Sequence, residues 1–284
     1  MQEKFSKPKK LQSAMEYLMT YGWAILIIAV VLGALFGLGF FNSASLAPKI
    51  AAGACQVYRP QGPATTAFIN TEGVCNNELP QYAGQFNGAT SNIVTPNLYG
   101  NTATVTLWMY TKSAATTETA YAYSGGNFLS LSSNCIGFNA YGVSTAGFTN
   151  RWIFVATTII TGPYSTTNDI LYINGAAQTL GSCGSAPTML STGSGSPDTI
   201  GSTGTSSVFN GILADVQYYN STLSANEILV LYQEGIGGVP QALNSLVGWW
   251  PLNGNANDYS GNLNNGVPSN MVYTTAWTAA YTPP

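Results

Sequence analysis

Hydrophobic positions fall into two regimes along this chain. From Tyr17 to Phe41 no charged residue interrupts an apolar run, and at about 1.5 Å per helical residue that length crosses a hydrocarbon core of roughly 30 Å. The first regime therefore predicts one long amino-terminal membrane-spanning α-helix. After the polar stretch Asn42 to Pro48 the pattern changes to short runs rich in β-branched and aromatic residues, separated by Gly, Asn, Ser and Pro. ATVTLWMYT (103–111), RWIFVATTII (151–160), ILYINGAAQTL (170–180) and GILADVQYYN (211–220) are read as strands. Asn174-Gly175 marks a two-residue hairpin, because both residues take positive φ. One helix interrupts the strands at LSANEILVLYQEG: Ser224 and Glu227 predict a capping box, Leu223 and Ile228 a hydrophobic staple, and Gly235 the stop. Leu229, Leu231 and Tyr232 are expected to cover an end of an all-β sandwich.

Charge sharpens this picture. Only 7% of the 284 residues are charged, against roughly 25% in ordinary soluble domains, so the polar surface comes from Thr, Ser, Asn, Gln and Gly. Such a surface suits export and is left largely unaltered by acid. Lys4, Lys7, Lys9 and Lys10 precede the apolar run, and only Lys49, Arg59, Lys112 and Arg151 follow it. That asymmetry places the amino terminus in the cytoplasm and the bulk outside. With no basic stripe, nucleic acid is excluded as a partner. The absence of His excludes His-based triads, His-ligated metals and an imidazole switch. Cys55, Cys75, Cys135 and Cys183 are even in number and lack CxxC spacing, which favours disulfides over zinc. Three connectivities are open; Cys55–Cys75 with Cys135–Cys183 is favoured because each pair closes a local loop.

Glu16 stands at the start of the apolar run, where a carboxylate can simply stabilise the helix end through its dipole. An ordinary secretory signal has a shorter apolar core. The lysine-rich leader, then Gln12, Ser13, Ala14, Met15 and Glu16, then the long helix resemble the archaeal class III signal peptide of type IV pilin-like proteins. That resemblance implies a leader over 1–11, cut between Leu11 and Gln12 by a prepilin-type peptidase, and a helix over 12–41 that packs into a filament core. Leu11 stands where that family commonly has glycine. The freed Gln12 amine would neutralise Glu16 of a neighbouring subunit, since a lone charge inside an apolar bundle is costly. Gly33, Gly37 and Gly39 with Ala29 and Ala34 present a small-residue face suited to close helix approach.

A linker over 42–54 leads to the outer domain, 55–284. There YAGQFNGATSNIVTP (82–96), VTLWMY (105–110), RWIFVATT, LYINGAAQ and GILADVQYYNSTLSANEILVLYQEG follow one another as in the laminin G-like, concanavalin A-like jelly roll, a resemblance that spans 82–235. The tail LVGWWPLNGNANDYSGNLNNG (246–266) resembles the opening segment of that family, yet here it comes last. The favoured reading is that 246–284 completes the one sandwich in permuted order. A second domain cut short, or a strand donated to a neighbouring subunit, are the alternatives.

A glycoside hydrolase needs two carboxylates facing each other across a cleft. The outer acids are Glu72, Glu78, Glu118, Asp169, Asp198, Asp215, Glu227, Glu234 and Asp258, and no two share a strand at alternating spacing. Binding is therefore expected rather than catalysis, and no cofactor beyond Ca2+. Calcium would sit on Asp258 and the Asn carbonyls of NGNANDYSGNLNNG, unless those residues only make turns. Trp249, Trp250, Trp277 and the tyrosines are candidate sugar platforms, although tryptophan in a sandwich more often belongs to the core. Asn220-Ser221-Thr222 is a glycan acceptor triplet. The combined expectation is a pilin-like cell-surface subunit, membrane-bound as precursor and filamentous when mature, whose partners are copies of itself, the peptidase, and surface glycans or partner cells. The alternatives are a non-polymerising, membrane-anchored lectin-like receptor and an anchored carbohydrate-active enzyme.

Overall fold

The computed structural model describes residues 19, 21–33, 56–58, 68–70 and 80–284, except 99, 113–115, 124–127, 140, 182, 192–194, 205, 279–280 and 283. The chain divides into two units, Met1–Cys55 with Asn70–Cys75, and Gln56–Ile69 with Asn76–Pro284.

In the first unit, residues 19 and 21–33 are helical. The rest of the helix expected over 12–41 lies outside the described residues, as do Leu11, Gln12, Glu16, Gly37, Cys55 and Cys75. No helix among the described residues is long and apolar enough to cross a membrane. The observed helix nevertheless exposes large hydrophobics on every side: Trp23 is 67% exposed, Ile25 66%, Ile27 57% and Val30 62%. A Cβ added at Gly33 would meet nothing within 4 Å.

The second unit is the sandwich. β1 (Gln56–Tyr58) and β2 (Phe68–Asn70) form a ribbon. Next come β3 (Ala83–Asn87), β4 (Asn92–Val94), β5 (Thr102–Thr111), β6 (Glu118–Ala122), β7 (Phe128–Ser132), β8 (Cys135–Phe138) and β9 (Tyr141–Ser144). After these run β10 (Trp152–Ile160), β11 (Gly162–Pro163), β12 (Ile170–Ile173), β13 (Ala176–Ala177), β14 (Met189–Leu190), β15 (Thr199–Ile200) and β16 (Asn210–Tyr219). Helix α1 (Ala225–Glu234) precedes β17 (Leu246–Trp250), β18 (Val267–Ser269) and β19 (Val272–Thr274). An eight-stranded sheet runs β13-β12-β10-β5-β16-β3-β19, with β17 also on β16, and a seven-stranded sheet runs β18-β4-β15-β6-β7-β8-β9.

Strand β10 shows why its sequence is a continuous apolar run instead of an alternating one. Ile153, Val155 and Ile159 join the core between the sheets, while Trp152, Phe154 and Ala156 join a second cluster on the outer face of the eight-stranded sheet. A strand covered on both faces needs apolar residues on both. The outer cover is α1 together with Trp277 and Tyr281. The capping box forms, and Gly235 closes the helix at φ 79°. The expected contact is corrected in two respects: α1 lies over a sheet face, not an end of the sandwich, and Ile228 and Leu231 are its buried residues while Leu229 is 38% exposed. Positions three apart share a helix face, and Leu229 falls about a quarter-turn away. Tyr232 stacks on Trp108 at 6.0 Å.

Asn174 and Gly175 make the two-residue turn from β12 to β13, at φ 50° and 77°. A Cβ at Gly175 would stand 2.9 Å from Leu229 Cδ1, so the helix also needs glycine there. The tail enters the same two sheets: β17 pairs with β16 (Gln217 opposite Trp249), β18 with β4 and β19 with β3. These pairings lie within one chain.

Cys135 and Cys183 form a disulfide, with Cα atoms 6.2 Å apart, across 48 residues of sequence. Closing a loop of that length removes chain entropy from the unfolded state worth up to about 4 kcal/mol. Replacing both cysteines with serine is expected to lower the stability measured by urea unfolding by about 2–4 kcal/mol. A loss under about 1 kcal/mol would mean that the disulfide does not constrain the unfolded chain.

Candidate functional site

At one end of the sandwich three connections meet around a cavity of about 400 Å³: the β3–β4 turn, the β5–β6 loop and the β15–β16 connection. Its lining combines Thr116, Thr117, Ser206, Ser207 and Asn210 with Glu118, over Gly88, Ala89 and Val208. The β3–β4 turn is built by Asn87, whose Oδ1 accepts the N–H groups of Ala89, Thr90 and Ser91 at 2.9, 2.8 and 3.1 Å. This is an Asx-type turn, the local preference of asparagine. Gly88 (φ 71°) follows because a Cβ there would be 2.9 Å from that of Asn210. The Thr119 N–H donates to Ser207 O at 2.8 Å and ties the third wall to β6.

Among the described residues Glu118 is the one carboxylate lining the cavity. It is 3% exposed. The Thr116 hydroxyl donates to Oε1 at 3.0 Å and the Asn210 N–H to Oε2 at 3.0 Å. Burial pushes its pKa up, and these two hydrogen bonds oppose the rise. A hydroxyl-rich wall around one buried acceptor can hold a polyhydroxyl ligand through hydrogen bonds.

The other acids mostly anchor the fold. Asp258 Oδ1 accepts the N–H groups of Trp249 and Ser260, each at 2.8 Å, and Oδ2 accepts the Ser260 hydroxyl at 2.8 Å and the Asn264 N–H at 2.9 Å. Its oxygens are thus surrounded by donors, whereas a calcium ion needs oxygens converging on it. Among the described residues no group of three acidic or cysteine side chains could hold a metal. Asp169 accepts the N–H groups of Ile160 and Ser165 at 2.8 and 2.7 Å.

Asp215 occupies a β-bulge. Leu213, Val216 and Tyr218 face the core while Ala214 faces outward, so one extra residue sits between 213 and 216. Asp215 takes φ 50° there and its carboxylate is 5% exposed. Gln217 Nε2 donates to both its oxygens (3.0 and 2.9 Å) and Trp249 Nε1 to Oδ1 (2.7 Å). Burial pushes its pKa up to about 7 against those donors, with Glu234 adding to the rise.

Two of the candidate sugar platforms are corrected. Trp250 is fully buried between the sheets, donating to Asn264 O at 3.0 Å, and Trp277 is 1% exposed in the outer-face cluster, against Trp152 and Tyr281. A tryptophan surface is too large for the core to forgo. Trp249 is half-buried and meets the exposed Tyr259 edge-on at 6.3 Å. Asn220 is exposed at the end of β16. Cavity and acid were not evident beforehand, because Glu118 was one of nine outer acids and only the hydroxyl-rich neighbours, TTE and SSV, set it apart.

No curated protein sequence matches this chain. Among solved structures, the chain is similar to a protein from Bacteroides ovatus described as a candidate carbohydrate binding protein (13% identity, TM-score 0.48, 74% of this chain and 64% of that one). The chain thus spans just under two thirds of that protein. It is also similar to domain 4 of AbnA, a GH43 extracellular arabinanase from Geobacillus stearothermophilus, in complex with arabinotriose (20%, 0.39, 52% and 75%). A third is a heptameric SAP-like pentraxin from Limulus polyphemus (12%, 0.42, 68% and 94%). A family model matches residues 84–229, just over half of the chain, from β3 into α1. With the two-sheet jelly roll in place over that same span, the chain belongs to the Laminin_G_3 family of the concanavalin A-like lectin/glucanases superfamily.

Proposed function

We propose that the protein is a surface-displayed, lectin-like binding subunit, anchored and assembled through its amino-terminal apolar helix, and that it binds polyhydroxyl ligands without turning them over. The observation that carries the anchoring half is the helix at 21–33, whose large hydrophobics are exposed on every side. Water does not tolerate such a surface, so a bilayer or a bundle of like helices is its environment. Open space at Gly33 leaves room for close approach of a second helix. The binding half is supported by the family, whose description joins lectins and glucanases, and by a rim cavity whose described lining residues include one carboxylate, Glu118. Cleavage before Gln12, pairing of its amine with Glu16, and assembly into a filament complete the reading, with Asn220 as an exposed glycan acceptor.

Mass spectrometry of the amino terminus, on protein from its native membrane, tests assembly. A chain that begins at Gln12 is expected. One that begins at Met1 or Gln2 supports instead the anchored, non-polymerising receptor, which the same exposed helix also allows.

A further inference from the structure

A buried carboxylate without a countercharge limits what can fill the space beside it. Among the described residues, the donors to Glu118 are two neutral groups, the Thr116 hydroxyl and the Asn210 N–H, each at 3.0 Å. An ionised carboxylate offers about four acceptor positions, so two remain beyond these bonds, in a residue that lines the cavity. Among the described residues no aromatic ring lines that cavity, so the stacking that usually holds a neutral sugar ring is not supplied by them. The described lining offers little apolar surface for a lysine stem, since Ala89 and Val208 are its aliphatic side chains beside Thr116, Thr117, Ser206 and Ser207.

We propose that the rim cavity takes a hydroxylated ligand bearing a primary ammonium group, the chemistry of an amino sugar, with the ammonium on Glu118 and the hydroxyls on Thr117, Ser206 and Ser207. This rests on the reading of the cavity as a sugar site. A charge-assisted hydrogen bond is about twice as strong as a neutral one. The desolvation of Glu118 is already met by folding, so an ammonium gains more here than at an exposed acid.

The test is ligand-observed NMR on the full chain in detergent micelles near neutral pH, with D-glucosamine, N-acetyl-D-glucosamine and D-glucose as probes. Glucosamine is expected to bind at least about tenfold more tightly than the two neutral sugars. Glu118→Gln, which keeps the shape and removes the charge, should erase that preference. Should this variant fail to fold, the wild-type protein still decides: acidification that protonates Glu118 must abolish the preference for glucosamine. Equal affinity for all three sugars, or a preference that survives in Glu118→Gln or in acid, overturns the ammonium site and leaves a neutral sugar cavity. Absence of binding by all three overturns the sugar reading of the cavity as well.

Discussion

Lowering the pH from about 7 to about 4 is expected to stabilise the sandwich by about 3 kcal/mol through Asp215 alone. Burial raises the folded-state pKa of this carboxyl to about 7 from 3.8. The folded chain therefore holds a proton that the unfolded chain releases, and stability falls as pH rises through that window. The contribution is fully present below the unfolded pKa and is lost as pH passes the folded one. The donors Gln217 and Trp249 favour the ionised form, yet they do not offset burial, and Glu234 adds like charge. Glu118, Asp169 and Glu234 are raised by the same cause and act in the same direction, whereas the exposed Glu227, lowered by its bonds to Ser224, acts against them. Urea midpoints measured across this pH range check the sign. Asp215→Asn should flatten most of the dependence, since asparagine accepts the same positive φ. Stability that rises with pH, or a slope unchanged in the variant, would sink the assignment.

A chain that stops at Ser245 is expected not to fold cooperatively. It loses β17, β18 and β19, and with them Trp250, Leu252, Trp277 and Tyr281, all buried. Removing one buried tryptophan side chain costs about 3–5 kcal/mol, and a whole domain has only about 5–15 kcal/mol of net stability. Two such tryptophans, at about 6–10 kcal/mol together, already match the net stability of a typical domain, and Leu252 and Tyr281 add to the loss. The loss also bares β3, β4 and half of β16, which become unpaired strand edges. Trp250→Ala alone should lower stability by about 3–5 kcal/mol in denaturant titrations. A sharp unfolding transition in the shortened chain would show that the tail decorates a sandwich complete without it. The expectation applies although the family model ends at residue 229, short of the tail.

Several features were legible because they depend on residues close in sequence. The run RWIFVATTII is strand β10 to within one residue, Asn174-Gly175 turns where two positive φ values are required, and Ser224 with Glu227 caps α1. Such signals rest on steric preference and short-range hydrogen bonds, so the chain carries them before it folds. The apolar run from Tyr17 is equally legible, and its consequence is an exposed hydrophobic helix.

The site was not legible in the same way. Its walls come from residues 88–89, 116–118, 206–208 and 210, brought together where β16 pairs with β3 and β5. The bulge at Asp215, the choice of Ile228 over Leu229 as the buried face of α1, and the burial of Trp250 but not Trp249 likewise follow from register and layer. By itself the sequence determined strands, turns, caps and the apolar run. Which acids are buried, which tryptophans fill the core and where a cavity opens were decided only by tertiary structure, because a side chain's burial depends on distant strands that no local pattern encodes.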